Sequence, residues 1–130
     1  MSKPSLSQSA RLAKANIFDQ NYDDPGVPVD WLPVIAFYAA LHLTSTVYEY
    51  NTGRLAATNH TARRNDYAVL ANGMLPIYSK YLRLQEISEY QRYGIGAHEA
   101  MTQALIDEAH AHYLDIYGWC KATLPSGWVP

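Results

Sequence analysis

The sequence predicts an all-α fold, an antiparallel bundle of about five helices. Three observations carry that reading. Apolar residues recur at helical spacing through five segments, and Pro, Gly and Asn punctuate the chain between them. Strand-like alternation is absent. With 130 residues, 48% hydrophobic and only 17% charged, the chain can bury a core as one domain spanning 1–130, with 1–6 and 125–130 as peripheral tails.

The first helix is placed at about Ser7 to Gln20, with Leu12, Ala15, Ile17 and Phe18 as its apolar positions. Asp23-Asp24-Pro25-Gly26 breaks the chain, and Val27-Pro28-Val29 is extended by its proline. Asp30 is placed as the N-cap of the second helix, with Pro33 in the first turn, where a missing N–H costs little. That helix runs to about Tyr50 and stops at Asn51-Thr52-Gly53.

Arg54 to Asn59 reads as a connector, followed by a third helix from about Thr61 to Leu70. The fourth starts near Leu75-Pro76 and runs to Tyr93, with Met74, Ile77, Tyr81, Leu84 and Ser88 on one stripe. Gly94-Ile95-Gly96 punctuates again. The fifth runs from Ala97 or His98 to Ala122, with Ile106, Ala109, Tyr113, Ile116, Tyr117, Cys120 and Leu124 at helical spacing. Short connections between such helices favour antiparallel neighbours.

Composition limits the function classes. A lone cysteine, Cys120, excludes an internal disulfide and a multi-cysteine zinc site. The opening residues lack the apolar run of a secretory signal, so the cytoplasm is the expected compartment. Trp31 to Tyr48 has no formal charge, but His42, Thr44, Ser45 and Thr46 within it fit a buried core helix better than a membrane span. The net charge of −2 gives no global attraction for nucleic acid. Its distribution is uneven. Asn51 to Arg64 holds Arg54, Arg63, Arg64 and His60 with no acid, whereas His98 to Tyr117 holds Glu99, Asp107, Glu108 and Asp115 with no lysine or arginine.

Two clusters could carry chemistry. Tyr38, His42, Ser45 and Glu49 share one face of the second helix. A histidine there is either a core residue bonded to a tyrosine hydroxyl of another helix or a residue lining a site. The second cluster is Asn59-His60-Thr61-Ala62-Arg63-Arg64. If Asn59 caps the third helix, His60 and the arginines occupy its first turn, where free amides already favour anions. A neutral imidazole there could accept a proton, and a charged one could donate it. Eleven tyrosines add hydroxyls and rings able to line a polar pocket or stack on bases.

Other patterns point to less. Asp107-Glu108-Ala109-His110 spells a helicase motif, but no phosphate-binding Gly-rich Lys-Ser/Thr loop accompanies it. Glu108 and His112 are one turn apart, without the paired Glu-x-x-His elements of a di-metal bundle. No metal or other cofactor is expected. Cys120 sits on the apolar stripe, and no nucleophile elbow supports Ser-His-Asp catalysis.

The string Phe37-Tyr38-Ala39-Ala40-Leu41-His42-Leu43, then Asn59-His60-x-x-Arg63, resembles the HEPN (higher eukaryotes and prokaryotes nucleotide-binding) superfamily. Tyr78-x-x-x-Leu82, Ser88 and Arg92-Tyr93 are similar to small prokaryotic members, and the resemblance covers roughly Ile17 to Ala122. It implies a helical bundle that dimerises and a metal-independent endoribonuclease, of the kind found in toxin or defence systems, with RNA or a nucleotide as ligand. An antitoxin-type protein partner would fit the same resemblance, and a membrane would not. The family's motif is an arginine followed a few residues later by a histidine. Arg54 with His60 and Arg92 with His98 have that spacing, although Leu55 and Tyr93 stand where a polar residue is common.

The resemblance then implies His60 as acid or base, with Arg54 and Arg63 neutralising the phosphorane formed by 2′-hydroxyl attack. Arg64, His42, Tyr38, Arg92 and His98 would bind RNA or its phosphates. The alternatives are a non-catalytic RNA- or nucleotide-binding module of the same fold, and a helical adaptor whose polar stripe is structural.

Overall fold

The computed structural model describes residues 3–70, 74–93 and 101–130, and among them the chain is helical, with no strand. Five helices follow in order: α1 (Leu6–Tyr22), α2 (Leu32–Thr52), α3 (His60–Leu70), α4 (Leu75–Tyr93) and α5 (Gln103–Thr123). Local chemistry sets most of their ends. A capping box starts α1: the Gln8 amide donates to Ser5 Oγ at 3.1 Å and the Ser5 amide to Gln8 Oε1 at 2.7 Å. Asp24 accepts from the Gly26 amide at 2.8 Å, an Asx turn that breaks the chain after α1.

The start of α2 differs from expectation. Asp30 is not its cap. It lies inside a 3₁₀ turn, Val29–Trp31, and α2 begins without a side-chain cap but with Pro33 in its first turn. The far end is as read: Gly53 takes φ 71° and its amide reaches Glu49 O at 2.9 Å. Asn59 caps α3, its Oδ1 accepting from the Ala62 amide at 2.8 Å. The fifth helix starts later than expected. Met101 and Thr102 are not helical and Thr102 Oγ1 caps the Leu105 amide at 3.2 Å, while residues 94–100 lie outside the described ones.

The core is built around α2. Phe37, Ala39, Ala40 and Val47 are fully enclosed, and Thr44, Ser45 and Thr46 are enclosed with them. A helix hydrophobic on nearly every side is a core helix. By length and composition the stretch Val29–Thr52 could cross a membrane, but 72% of its most apolar window is packed inside the bundle. Its buried hydroxyls are satisfied: Thr44 Oγ1 bonds Ala40 O and the Tyr67 hydroxyl, each at 2.8 Å, and Thr46 Oγ1 bonds His42 O at 2.8 Å. All five stripe residues of α4 are buried, as are six of the seven on α5, with Tyr117 half-buried. Of the apolar positions of α1, Ala15 is buried and Ile17 is 55% exposed.

Side-chain contacts fix the directions. Arg11 with Glu49 and Phe18 with Tyr38 make α1 antiparallel to α2. Lys80 with Asp115 and Arg83 with Glu108 do the same for α4 and α5. The third helix is different: His60 meets Phe37, and Tyr67 meets Thr44 and Tyr48, so α3 runs in the same sense as α2. The Arg54–Asn59 connector is therefore a return passage, not a tight turn. The tail also packs, with Val129 buried, Trp128 edge-on to Tyr50, and the Tyr117 hydroxyl donating to Pro130 O.

Glu49 ties three elements together. Its buried carboxylate accepts from Ser7 Oγ at 3.0 Å, Arg11 Nε at 2.8 Å and the Ala56 amide at 3.1 Å. Truncating it strands the Ala56 amide and the guanidinium. Glu49→Ala is expected to cost about 2–4 kcal/mol, reduced from a fully buried pair because Arg11 is partly exposed. A lower urea midpoint at unchanged m-value checks this.

Candidate functional site

The first turn of α3 presents His60, Arg63 and Arg64 beside the middle of α2 and the end of α4. The Asn59 cap sets the register, and the three-residue spacing puts His60 and Arg63 on one face. Arg63 Nη1 lies 3.2 Å from His60 Nδ1, and Nη2 donates to Ala57 O at 2.8 Å. The His60 ring tilts against Phe37 with centroids 5.6 Å apart. Arg63 is only 4% exposed and has no carboxylate within ion-pair distance among the described residues. Its Nε and the Tyr81 hydroxyl are both enclosed without a hydrogen-bond partner. Burial pushes the Tyr81 phenol up to about 12, with the nearby Arg63 charge pulling the other way.

Arg92 reaches the same place from α4. Its guanidinium sits 5.3 Å from the centroids of both Phe37 and Tyr38, and Nη1 donates to the Tyr38 hydroxyl at 2.8 Å. Nη2 donates to Ser88 Oγ at 3.0 Å, one turn back on the same helix. Tyr38 has Phe18 stacked on it at 5.7 Å as well as Arg92 against its ring. Both contacts occupy the ring, so Tyr38 holds Arg92 in place and offers little face for a base.

Burial and the neighbouring arginines favour the neutral form of His60. Burial comes first in lowering its pKa below the usual histidine value, followed by Arg63, with Arg92 and Arg64 adding to the effect and Glu89 opposing it. An arginine N–H can only donate, so His60 Nδ1 must accept, and the single proton of the neutral ring belongs on Nε2. The ring therefore offers a donor at Nε2.

His42 is half-buried, stacked on Phe18 with centroids 6.0 Å apart. Its Nδ1 is enclosed with no partner, so the tyrosine hydroxyl that a core histidine would use is absent. Burial, then Arg11, Lys14 and Arg63, lower its pKa to about 4. Its former face-mates serve structure: Ser45 Oγ meets the Tyr67 hydroxyl at 3.3 Å, and Glu49 makes the clamp described above.

The expected residues are thus only partly brought together. His60, Arg63, Arg64, Tyr38 and Arg92 form one cluster, with His42 on the next turn of α2 from Tyr38. Arg54 does not join them. It lies exposed past the C-terminal end of α2, in a cleft of about 280 Å³ lined also by Ser5, Gln8 and Leu55. Phe37, which marks His60, and Gly53, next to Arg54, are about 24 Å apart along the helix axis at its rise per residue. His98 lies outside the described residues. Phe37, Phe18 and Glu89 were not read as site residues. Arg92 and Tyr38 are 54 positions apart, and nothing local signals such a pairing.

Two acids of the described part of the acidic stretch are paired on α4 and α5. Glu108 takes Arg83 Nε at 2.6 Å and His112 at 3.0 Å, and Asp115 takes Lys80 at 2.7 Å. Arg83 also pairs with Glu86. Among the described residues no three potential metal ligands come together. Cys120 is buried and its thiol pushed well up by burial. No family model matches the chain, and no curated protein or solved structure matches it either.

The histidines make stability depend on pH. A histidine with a folded pKa below its unfolded value binds fewer protons when folded, so stability falls as the pH drops through the window between the two. For His42 that window runs from 6.5 down to about 4. The urea midpoint of the wild type is expected to fall across it, and more shallowly for His42→Gln.

Proposed function

We propose that this chain is a HEPN-like helical module that binds the phosphate groups of RNA or a nucleotide at the first turn of α3. One observation carries the reading: the Arg63 guanidinium is buried, charged and, among the described residues, without a carboxylate in ion-pair range. A buried charge left uncompensated is costly, and a nearby anion is what offsets it. Around it stand the Nε2–H of His60, the half-buried Arg64, the ring-held Arg92 and the amides of the helix start, of which Ala62 is capped by Asn59. All are donors or cations, matched to the acceptor-only oxygens of a phosphodiester.

Binding is favoured over the cleavage that the family resemblance implies. A general base for the 2′-hydroxyl needs a ring nitrogen free of its proton and open to the ligand. Donation by Arg63 occupies Nδ1 and leaves the proton on Nε2. A general acid needs the imidazolium, which burial and the arginines disfavour. Arg54, the motif arginine on the expected side, is too distant to share a phosphate with His60.

The test is a labelled single-stranded RNA incubated in EDTA with the wild type and with His60→Ala. The expected result is a mobility shift without cleavage, with affinity about tenfold weaker in the variant, as for loss of one hydrogen bond to a charged group. Cleavage leaving 2′,3′-cyclic phosphate ends, lost in His60→Ala, would replace the binding reading with the ribonuclease one. No shift with any of several RNAs or nucleotides would reject both for the chain alone.

A further inference from the structure

We infer that Arg63 is a positioning residue, which fixes the tautomer and orientation of His60 and does not itself touch the phosphate. The inference rests on the binding reading for its ligand, but its geometry stands alone. Arg63 is 4% exposed, so an incoming anion meets His60, Arg64 and Arg92 first. Its two terminal nitrogens are already committed, one to His60 Nδ1 at 3.2 Å and the other to Ala57 O at 2.8 Å. The third nitrogen, Nε, is enclosed. A planar fork anchored on the connector carbonyl and resting on the imidazole holds the ring from behind. Phe37 closes a second side of the ring. The remaining freedom of His60 is to point Nε2–H at the ligand, while the positive charge behind it deepens the local potential.

A lysine cannot reproduce this. Its ammonium keeps the charge but lacks the rigid fork that spans Ala57 O and His60 Nδ1 together. A direct phosphate ligand behaves differently, since a lysine point charge still neutralises a phosphate and still contributes to the salt dependence.

The experiment measures binding of a single-stranded oligoribonucleotide over a range of salt for wild type, Arg63→Lys, Arg63→Gln and Arg64→Gln. In parallel, ¹⁵N spectra report the protonation of the His60 ring in the same proteins. Arg64→Gln is expected to lower the slope of log K against log salt by about one, the mark of a lost phosphate contact. Arg63→Lys is expected to keep the wild-type slope yet bind about fivefold more weakly, the loss of one ordinary hydrogen bond. The neutral His60 ring should be wholly protonated on Nε2 in the wild type and a mixture of tautomers in both Arg63 variants.

Wild-type affinity in Arg63→Lys would overturn the inference, because charge alone would then suffice. So would a slope lowered by one in Arg63→Gln with the His60 spectra unchanged, which would make Arg63 a phosphate ligand. If the Arg63 variants fail to fold, the wild-type spectrum still decides: a neutral His60 protonated on Nδ1 rules out the hydrogen bond on which everything rests. A wild type that binds no RNA while showing Nε2–H would sink the binding reading and leave the positioning contact standing.

Discussion

A helix with little solvent face over most of its length needs partners for its buried polar groups, and α2 finds them for its hydroxyls and for Glu49, with His42 Nδ1 the exception. Its hydroxyls turn back onto its own carbonyls or onto Tyr67, which draws α3 against it. Glu49, near its C-terminal end, draws in Ser7, Arg11 and the Ala56 amide, which docks the start of α1 and the head of the connector. The same helix supplies Phe37 and Tyr38, the ring surfaces on which His60 and Arg92 rest. The core and the candidate site are therefore two sides of one helix. Substitutions at Phe37 would act on both at once.

The contacts that hold the cationic cluster among the described residues are rings, hydroxyls and carbonyls. Lys80 and Arg83 of α4 spend their charge on the acids of α5 and of their own helix, and Arg11 spends its charge on Glu49. At the other end of α4, Arg92 meets two aromatic faces and two hydroxyls. A chain with net charge −2 thus gathers His60, Arg63, Arg64 and Arg92 in one place.

What the sequence conveyed depended on range. Helices, the Gly53 stop and the Asn59 cap are local signals, and the chain obeys them. The Ser5-x-x-Gln8 capping box is an equally local signal, one that places the start of α1 at Leu6 and not Ser7. Asp30 misled because a 3₁₀ turn satisfies the same residues without a side-chain cap. His60 and Arg63 were legible as a pair because one helical turn joins them. The partnership of Arg54 with His60 was a matter of spacing along the chain, and the return passage between α2 and α3 carries the two apart. The meeting of Arg92 with Tyr38 depends on how α4 lies on α2, which no local pattern encodes.

The direction of α3 also bears on the order in which the molecule assembles. The α1–α2 hairpin is a local event, available as soon as about fifty residues have been made. The His60 environment is not, because its walls come from α2, α3 and α4, and Arg92 arrives last. The first helix has a longer wait still: Asp19 receives the Tyr113 hydroxyl, a contact between residues 94 positions apart. A chain emerging from the ribosome would expose the α5-facing side of its first hairpin until α5 had been synthesised.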